Sequence, residues 1–147
     1  MKFRLLQHVI MSLCFLLLFT NTQCDEDGDA VSSCGPAAVI DPGFFETAET
    51  RGFKVTNAEV LDSCLTVDFS ASGCDGSTWS LVLVDSGEVA ESNPEQRSLK
   101  LVFGNDETCL AVINQTRMFN LSNLRIEDSS SIQLNIEGVQ EPLIYDY

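Results

Sequence analysis

The chain has 147 residues, enough for one domain with its own core, and carries 22 acidic against 8 basic residues, a formal net charge of −14. So acidic a surface gains no counterion release on nucleic-acid phosphate and is repelled by an anionic membrane surface, which argues against both partners. Its one histidine, His8, lies close to the N-terminus.

Residues 1–23 have the layout of a secretory signal peptide. Lys2, Arg4 and His8 make a basic start, and Val9 to Phe19 is apolar apart from Ser12 and Cys14. That run is too short for a permanent span, which needs roughly 20 apolar residues. Thr20-Asn21-Thr22-Gln23 then leads into Cys24 and the acidic stretch Asp25-Glu26-Asp27-Gly28-Asp29. Two processing routes are open. An ordinary signal peptidase cuts after Thr22, with Thr20 two positions upstream, or Cys24 becomes the first mature residue and is lipidated.

The stretch from Met1 to Asp29 resembles the N-terminus of Bacteroidetes lipoproteins, particularly flavobacterial ones. These have a relaxed lipobox before the cysteine, and Asn21 and Gln23 stand here where a standard lipobox has Leu and a small residue. The resemblance implies a lipid on Cys24 and a membrane partner through that lipid. It also implies that Asp25, Glu26, Asp27 and Asp29 act as a signal for display on the outer face of the outer membrane. Each buried methylene contributes about 0.8 kcal/mol, so the two or more chains of a lipoprotein cysteine hold firmly where one holds marginally.

Once the signal is removed, 124 residues remain, with 6 basic against 22 acidic residues and a net charge of −16. Of six cysteines, Cys14 leaves with the signal and five remain. If Cys24 takes lipid, then Cys34, Cys64, Cys74 and Cys109 are left, an even set that suits two disulfides in an exported domain. No two of them have the close spacing of a structural zinc site, so no metal is expected.

Residues 24–50 read as lipidated cysteine, acidic tether and lead-in, with Phe44 and Phe45 as a packing anchor. From 51 to 147 the pattern has period two. Val55, Ala58 and Val60 mark a strand with an irregularity near Asn57. Leu65, Val67, Phe69 and Ala71 alternate with polar residues, as a half-buried strand does. Ser72-Gly73-Cys74-Asp75-Gly76-Ser77 is a turn, and Trp79 to Val84 is a strand buried on both faces. Asp85 to Arg97, polar and holding Gly87 and Pro94, reads as a long loop, of the kind that binds, as by presenting Arg97 to a protease, or is simply mobile. Ser98–Phe103, Cys109–Ile113, Phe119–Ile126 (a strand or an irregular segment), Ile132–Ile136 and Leu143–Tyr147 complete the set. The expected fold is an all-β antiparallel sandwich, Ig-like in the loose sense, of seven to eight short strands.

The segment from Val55 to Tyr147 is similar to small uncharacterised lipoprotein domains of the same bacteria. The similarity rests on Ser72-Gly73-Cys74-Asp75-Gly76, the Trp and aliphatic strand, Cys109-Leu110-Ala111-Val112 and Phe119-Asn120-Leu121. It implies fold and address, and no activity.

Strand direction selects the disulfides. The second strand ends near Cys74, and with simple alternation Cys109 opens a later strand from the same end. Cys64 lies one strand away, ~20 Å for a typical strand, whereas a bridge needs Cα atoms within about 7 Å. The expected pairs are therefore Cys74–Cys109 and Cys34–Cys64.

With His8 in the signal, no Ser–His–Asp or Cys–His site and no His-ligated metal is expected, so no catalytic residue or cofactor is assigned. The acidic run fails as an EF-type calcium loop, because its sixth and twelfth positions hold Ala30 and Pro36. The expected function is a non-enzymatic binding or structural module of the cell envelope with a protein or glycan partner. The alternative is a secreted ligand-binding or protease-inhibitor domain without lipid.

Overall fold

The computed structural model describes residues 34–147. Cys24 and the acidic residues Asp25, Glu26, Asp27 and Asp29 lie outside the described residues. The chain folds as β1 (Val39–Ile40), helix α1 (Pro42–Thr47), β2 (Phe53–Leu61), β3 (Cys64–Gly73), β4 (Ser80–Ala90), β5 (Glu95–Gly104), β6 (Ala111–Asn120), a 3-10 turn (Ser122–Leu124), β7 (Ser131–Ile136) and β8 (Leu143–Asp146). Two sheets result, one of order β2-β3-β6 and one of order β1-β4-β5-β7-β8. The fold is the expected all-β sandwich.

Alternation along the strands decides which side chains meet between the sheets. In β3, Leu65, Val67, Phe69 and Ala71 are buried while Thr66, Asp68 and Ser70 point away. Opposite them stand Leu81 and Leu83 of β4, Leu99 and Leu101 of β5, Ile132, Leu134 and Ile136 of β7, and Tyr145 of β8. At the end where β3 finishes, here called the upper end, Phe53, Phe69, Trp79 and Phe103 form an aromatic cluster with centroid separations from 5.3 to 6.1 Å. Edge-to-face and tilted pairs of this kind add to the area they bury. At the lower end Arg125 donates from Nε to Tyr145 Oη (2.8 Å) and from Nη2 to Ser63 Oγ (2.8 Å). Tyr147 Oη accepts from the Ile126 amide at 2.9 Å, which ties the C-terminus across the same end.

Pairing is antiparallel in β2-β3-β6, in β4-β5 and in β7-β8. It is parallel in two places, β1 beside β4 and β5 beside β7. The second follows from connectivity: β6 crosses to the other sheet, and the chain returns at the lower end to start β7 in the direction of β5.

Two sequence expectations are corrected. Asp85–Arg97 is not a loop: β4 and β5 run through it as one long hairpin, with a bulge between Asp85 and Val89 and a turn at 91–94. Gly87, at φ +78°, serves that bulge. Residues 34–50 are woven into the sandwich, with Ala38 in the core, β1 on the sheet edge and α1 packed on β4. That segment also holds a short helix, started by Asp41, whose Oδ1 accepts from the Phe44 amide at 2.9 Å, with Pro42 following. Phe119–Ile126 divides into the end of β6 and the 3-10 turn, which inserts Leu124 into the core.

Candidate functional site

Both cysteine bridges are present. Cys34–Cys64 sits at the lower end and Cys74–Cys109 at the upper end, with Cα separations of 5.0 and 4.8 Å. Among the described residues no group of His, Cys, Asp and Glu could hold a metal, and no helix is long and apolar enough to cross a membrane.

Three polar arrangements stand out. The first is a nest of backbone amides at the upper end. The turn from Cys74 to Thr78 points the amides of Cys74, Asp75 and Gly76 at Glu107 Oε2, and the Thr78 amide and hydroxyl at Oε1. Gly76 adopts φ +73°, the left-handed geometry that curls successive amides inward. A Cβ on Gly73 would sit 2.6 Å from Trp79 Cζ2, so only glycine lets the turn close over the indole. Burial pushes the Glu107 carboxyl up, but the bonds from Cys74, Gly76, Thr78 and Asp75 outweigh it and hold the group at about 2. Nothing in the composition pointed to Glu107; the glycine-flanked turn was the available signal. The nest is filled by the chain's own carboxylate, so it acts as a brace.

A pH dependence follows. A carboxyl lowered from 4.5 to about 2 stabilises the fold fully above pH 4.5, and that contribution is lost as pH falls toward 2. Glu107→Gln removes it, so the mutant melts below wild type at neutral pH and the gap closes as pH drops through this window. Thermal denaturation from pH 7 to pH 2 measures the gap; a constant gap would assign the loss to packing alone.

The second arrangement is a buried ion pair. Asp85, fully buried on β4, and Arg97, 9% exposed on β5, point into the sandwich in line with Leu83 and Leu99. Arg97 Nη1 donates to Asp85 Oδ1 at 3.0 Å, and the Gly87 amide donates to the same oxygen at 2.7 Å. Asp85 Oδ2 and Arg97 Nε are left without protein partners. Burial pushes the Asp85 carboxyl up, against the Gly87 bond and the Arg97 charge. Arg97 is thus a core residue, and the expectation of an arginine presented on a loop to a protease is overturned by its burial.

The third is a groove on the outer face of the five-stranded sheet. Its larger lobe is an open depression of about 400 Å³ between α1 and the β7–β8 connection, lined by Phe45, Ser98, Asn135, Glu137 and Gln140 among others. A smaller lobe of about 200 Å³ continues past Phe45 and Ser98 to Gln96, Glu88 and Ser86. Outward positions of β5 and β7 build the floor, since the parallel register sets Ser98 beside Asn135, with Gln96 in the smaller lobe; Gln133, beside Gln96, supports the floor from outside the lining. Gln133 Nε2 donates to Gln96 Oε1 (3.2 Å) and Asn135 Oδ1 (2.9 Å), and Asn135 Nδ2 donates to Gln96 Oε1 (3.0 Å). Lys100 fixes the helical wall: its Nζ donates to the carbonyls of Phe45 (2.8 Å) and Ala48 (3.1 Å) and lies 4.6 Å from the Phe45 ring centroid. Phe45 therefore anchors α1, as expected of the pair, whereas Phe44 is 37% exposed.

No protein-family model matches the chain, and no curated protein matches it. Two solved structures share its fold. One is a Bacteroides vulgatus protein of unknown function, DUF1344, at 18% identity and a TM-score of 0.51 over 76% of this chain and 57% of that one. The other is a putative toxin-related protein from Parabacteroides distasonis, at 15% identity and a TM-score of 0.50 over 76% of this chain and 60% of that one. This chain spans about 57–60% of their lengths, and at such identities the likeness is one of fold.

Proposed function

We propose that the protein is an exported, non-enzymatic binding module of the cell envelope, held to the membrane by lipid on Cys24. The groove on the five-stranded sheet carries the binding part of this reading. Its floor is two hydrogen-bonded interior strands, its wall is pinned by Lys100, and polar side chains line it, with Glu137 paired to Lys100 at 3.9 Å on that wall. A preformed concavity with a few placed polar groups is the usual form of a ligand site. Cysteine use supports the anchor: Cys34, Cys64, Cys74 and Cys109 are consumed in bridges, Cys14 falls in the signal, and Cys24 is left over.

Replacing Cys24 by Ser is expected to move the protein from the membrane fraction to the soluble fraction with its melting temperature unchanged, since the lipid is the anchor and the domain makes its core elsewhere. Detergent-free fractionation and the intact mass of the wild-type protein test this. A mutant that stays with the membranes, or a wild-type mass without acyl chains, would count against it.

A further inference from the structure

The geometry points to a neutral oligosaccharide as the ligand of the groove over β5 and β7, an assignment that rests on the reading of this protein as a binding module. The floor offers uncharged groups of both polarities. Gln96 Nε2 and the Ser98 hydroxyl make no hydrogen bond within the described residues, and Asn135 Nδ2 has one of its two protons unused. The mutual bonds of the three amides hold those free donors and acceptors in fixed positions. A row of amide and hydroxyl groups matches vicinal sugar hydroxyls, each of which donates and accepts. Phe45 lines both lobes and supplies apolar carbon against which the C–H face of a pyranose packs.

Competing ligands fit less well. An anion would meet Glu137 in one lobe and Glu88 in the other, and the cation beside the groove, Lys100, is committed to the carbonyls of Phe45 and Ala48 and to Glu137 itself at 3.9 Å. An extended peptide draws affinity from an unpaired strand edge, but β5 and β7 are interior strands with neighbours on both sides. A purely apolar ligand would strip water from the amide row without replacing its hydrogen bonds. Two lobes meeting at Phe45 and Ser98 make an elongated site, which suits a short chain of sugars better than a single ring.

The test uses the full mature chain carrying Cys24→Ser, titrated with cellohexaose, xylohexaose, maltohexaose and mannohexaose and followed by amide NMR. At least one is expected to give saturable shifts at Gln96, Ser98 and Asn135. Asn135→Ala and Gln96→Ala should each weaken that sugar about tenfold, the effect of losing one or two hydrogen bonds, with melting temperatures near the parent's. Absence of shifts with all four sugars, shifts confined to other surfaces, or occupancy of the same residues only by a polyanion such as polygalacturonate would overturn the assignment. Because the binding is read in solution, its failure is distinct from a failure of membrane anchoring, which fractionation reports.

Discussion

Arg97→Ala is expected to destabilise the domain by about 3–5 kcal/mol, the cost of leaving one member of a buried ion pair alone. At ~4 °C per kcal/mol for a domain of this size, the melting temperature should fall by roughly 12–20 °C. Asp85 is fully buried, and once Arg97 is gone only the Gly87 amide compensates its charge. The effect carries its own signature. Removing the Arg97 charge raises an Asp85 carboxyl that burial already holds above 3.8. A raised carboxyl favours the native state most below the unfolded value, and that advantage is lost as pH rises through the folded value. The mutant should therefore lie closest to wild type near pH 4 and fall behind as pH increases. A cavity left by the missing side chain would give a loss that does not change with pH. The double replacement Asp85→Leu with Arg97→Met should recover most of the stability, because apolar residues of similar volume avoid the desolvation penalty. Chemical denaturation of the three variants at pH 4 and pH 7 separates these outcomes. A loss below ~1 kcal/mol at pH 7 for Arg97→Ala would mean that the pair is held no more strongly than a surface one.

The same pair shows where the sequence misleads. Leu65 to Ala71 and Ile132 to Ile136 announce their strands because every inward position is apolar. On β4 and β5 the inward series runs Leu81, Leu83, Asp85 and Arg97, Leu99, Leu101. Two charged members, with Gly87 and Pro94 between them, make the alternation look broken. Each charge is tolerable inside only because the other lies across the hairpin, and that complementarity is invisible until the strands are paired. The groove is hidden for a similar reason. Gln96, Ser98, Gln133 and Asn135 are ordinary outward residues on two strands about 37 positions apart in the chain, and only the parallel register of β5 and β7 makes them one surface. Parallel pairing requires a long crossover and leaves no local turn signal. The disulfides were more legible, because they depend on strand direction alone, and direction survives errors of a few residues in strand boundaries.

Removing the lower bridge by Cys34→Ser with Cys64→Ser is expected to cost more than removing the upper one. Each bridge closes a loop of comparable length, with sequence separations of 30 and 35. The chain-entropy account assigns both about 3.5–4 kcal/mol. What differs is the help each one has. At the upper end Glu107, two residues before Cys109, already ties that segment to the amides of Cys74, Asp75 and Gly76. Asn105 Nδ2 adds a bond to the Ser72 carbonyl at 2.8 Å. The loop that the Cys74–Cys109 bridge closes is therefore held twice, and losing the covalent link alone should cost less than the full amount. At the lower end the segment from Cys34 to Ile40 adds a two-residue strand, the Ala38 contact with the core, and backbone bonds that join Pro36 and Ala38 to Asn120. Without its bridge this short segment should open locally and expose residues 34–50 to protease before the sandwich unfolds. The expected fall in melting temperature is about 14–16 °C for the lower pair and clearly smaller for the upper. Adding Glu107→Gln to the Cys74 and Cys109 replacements should then produce a loss greater than the sum of the separate losses, the mark of two restraints on one loop. Strict additivity, or an upper-pair loss equal to the lower, would show that the amide nest does not share the work of the bridge.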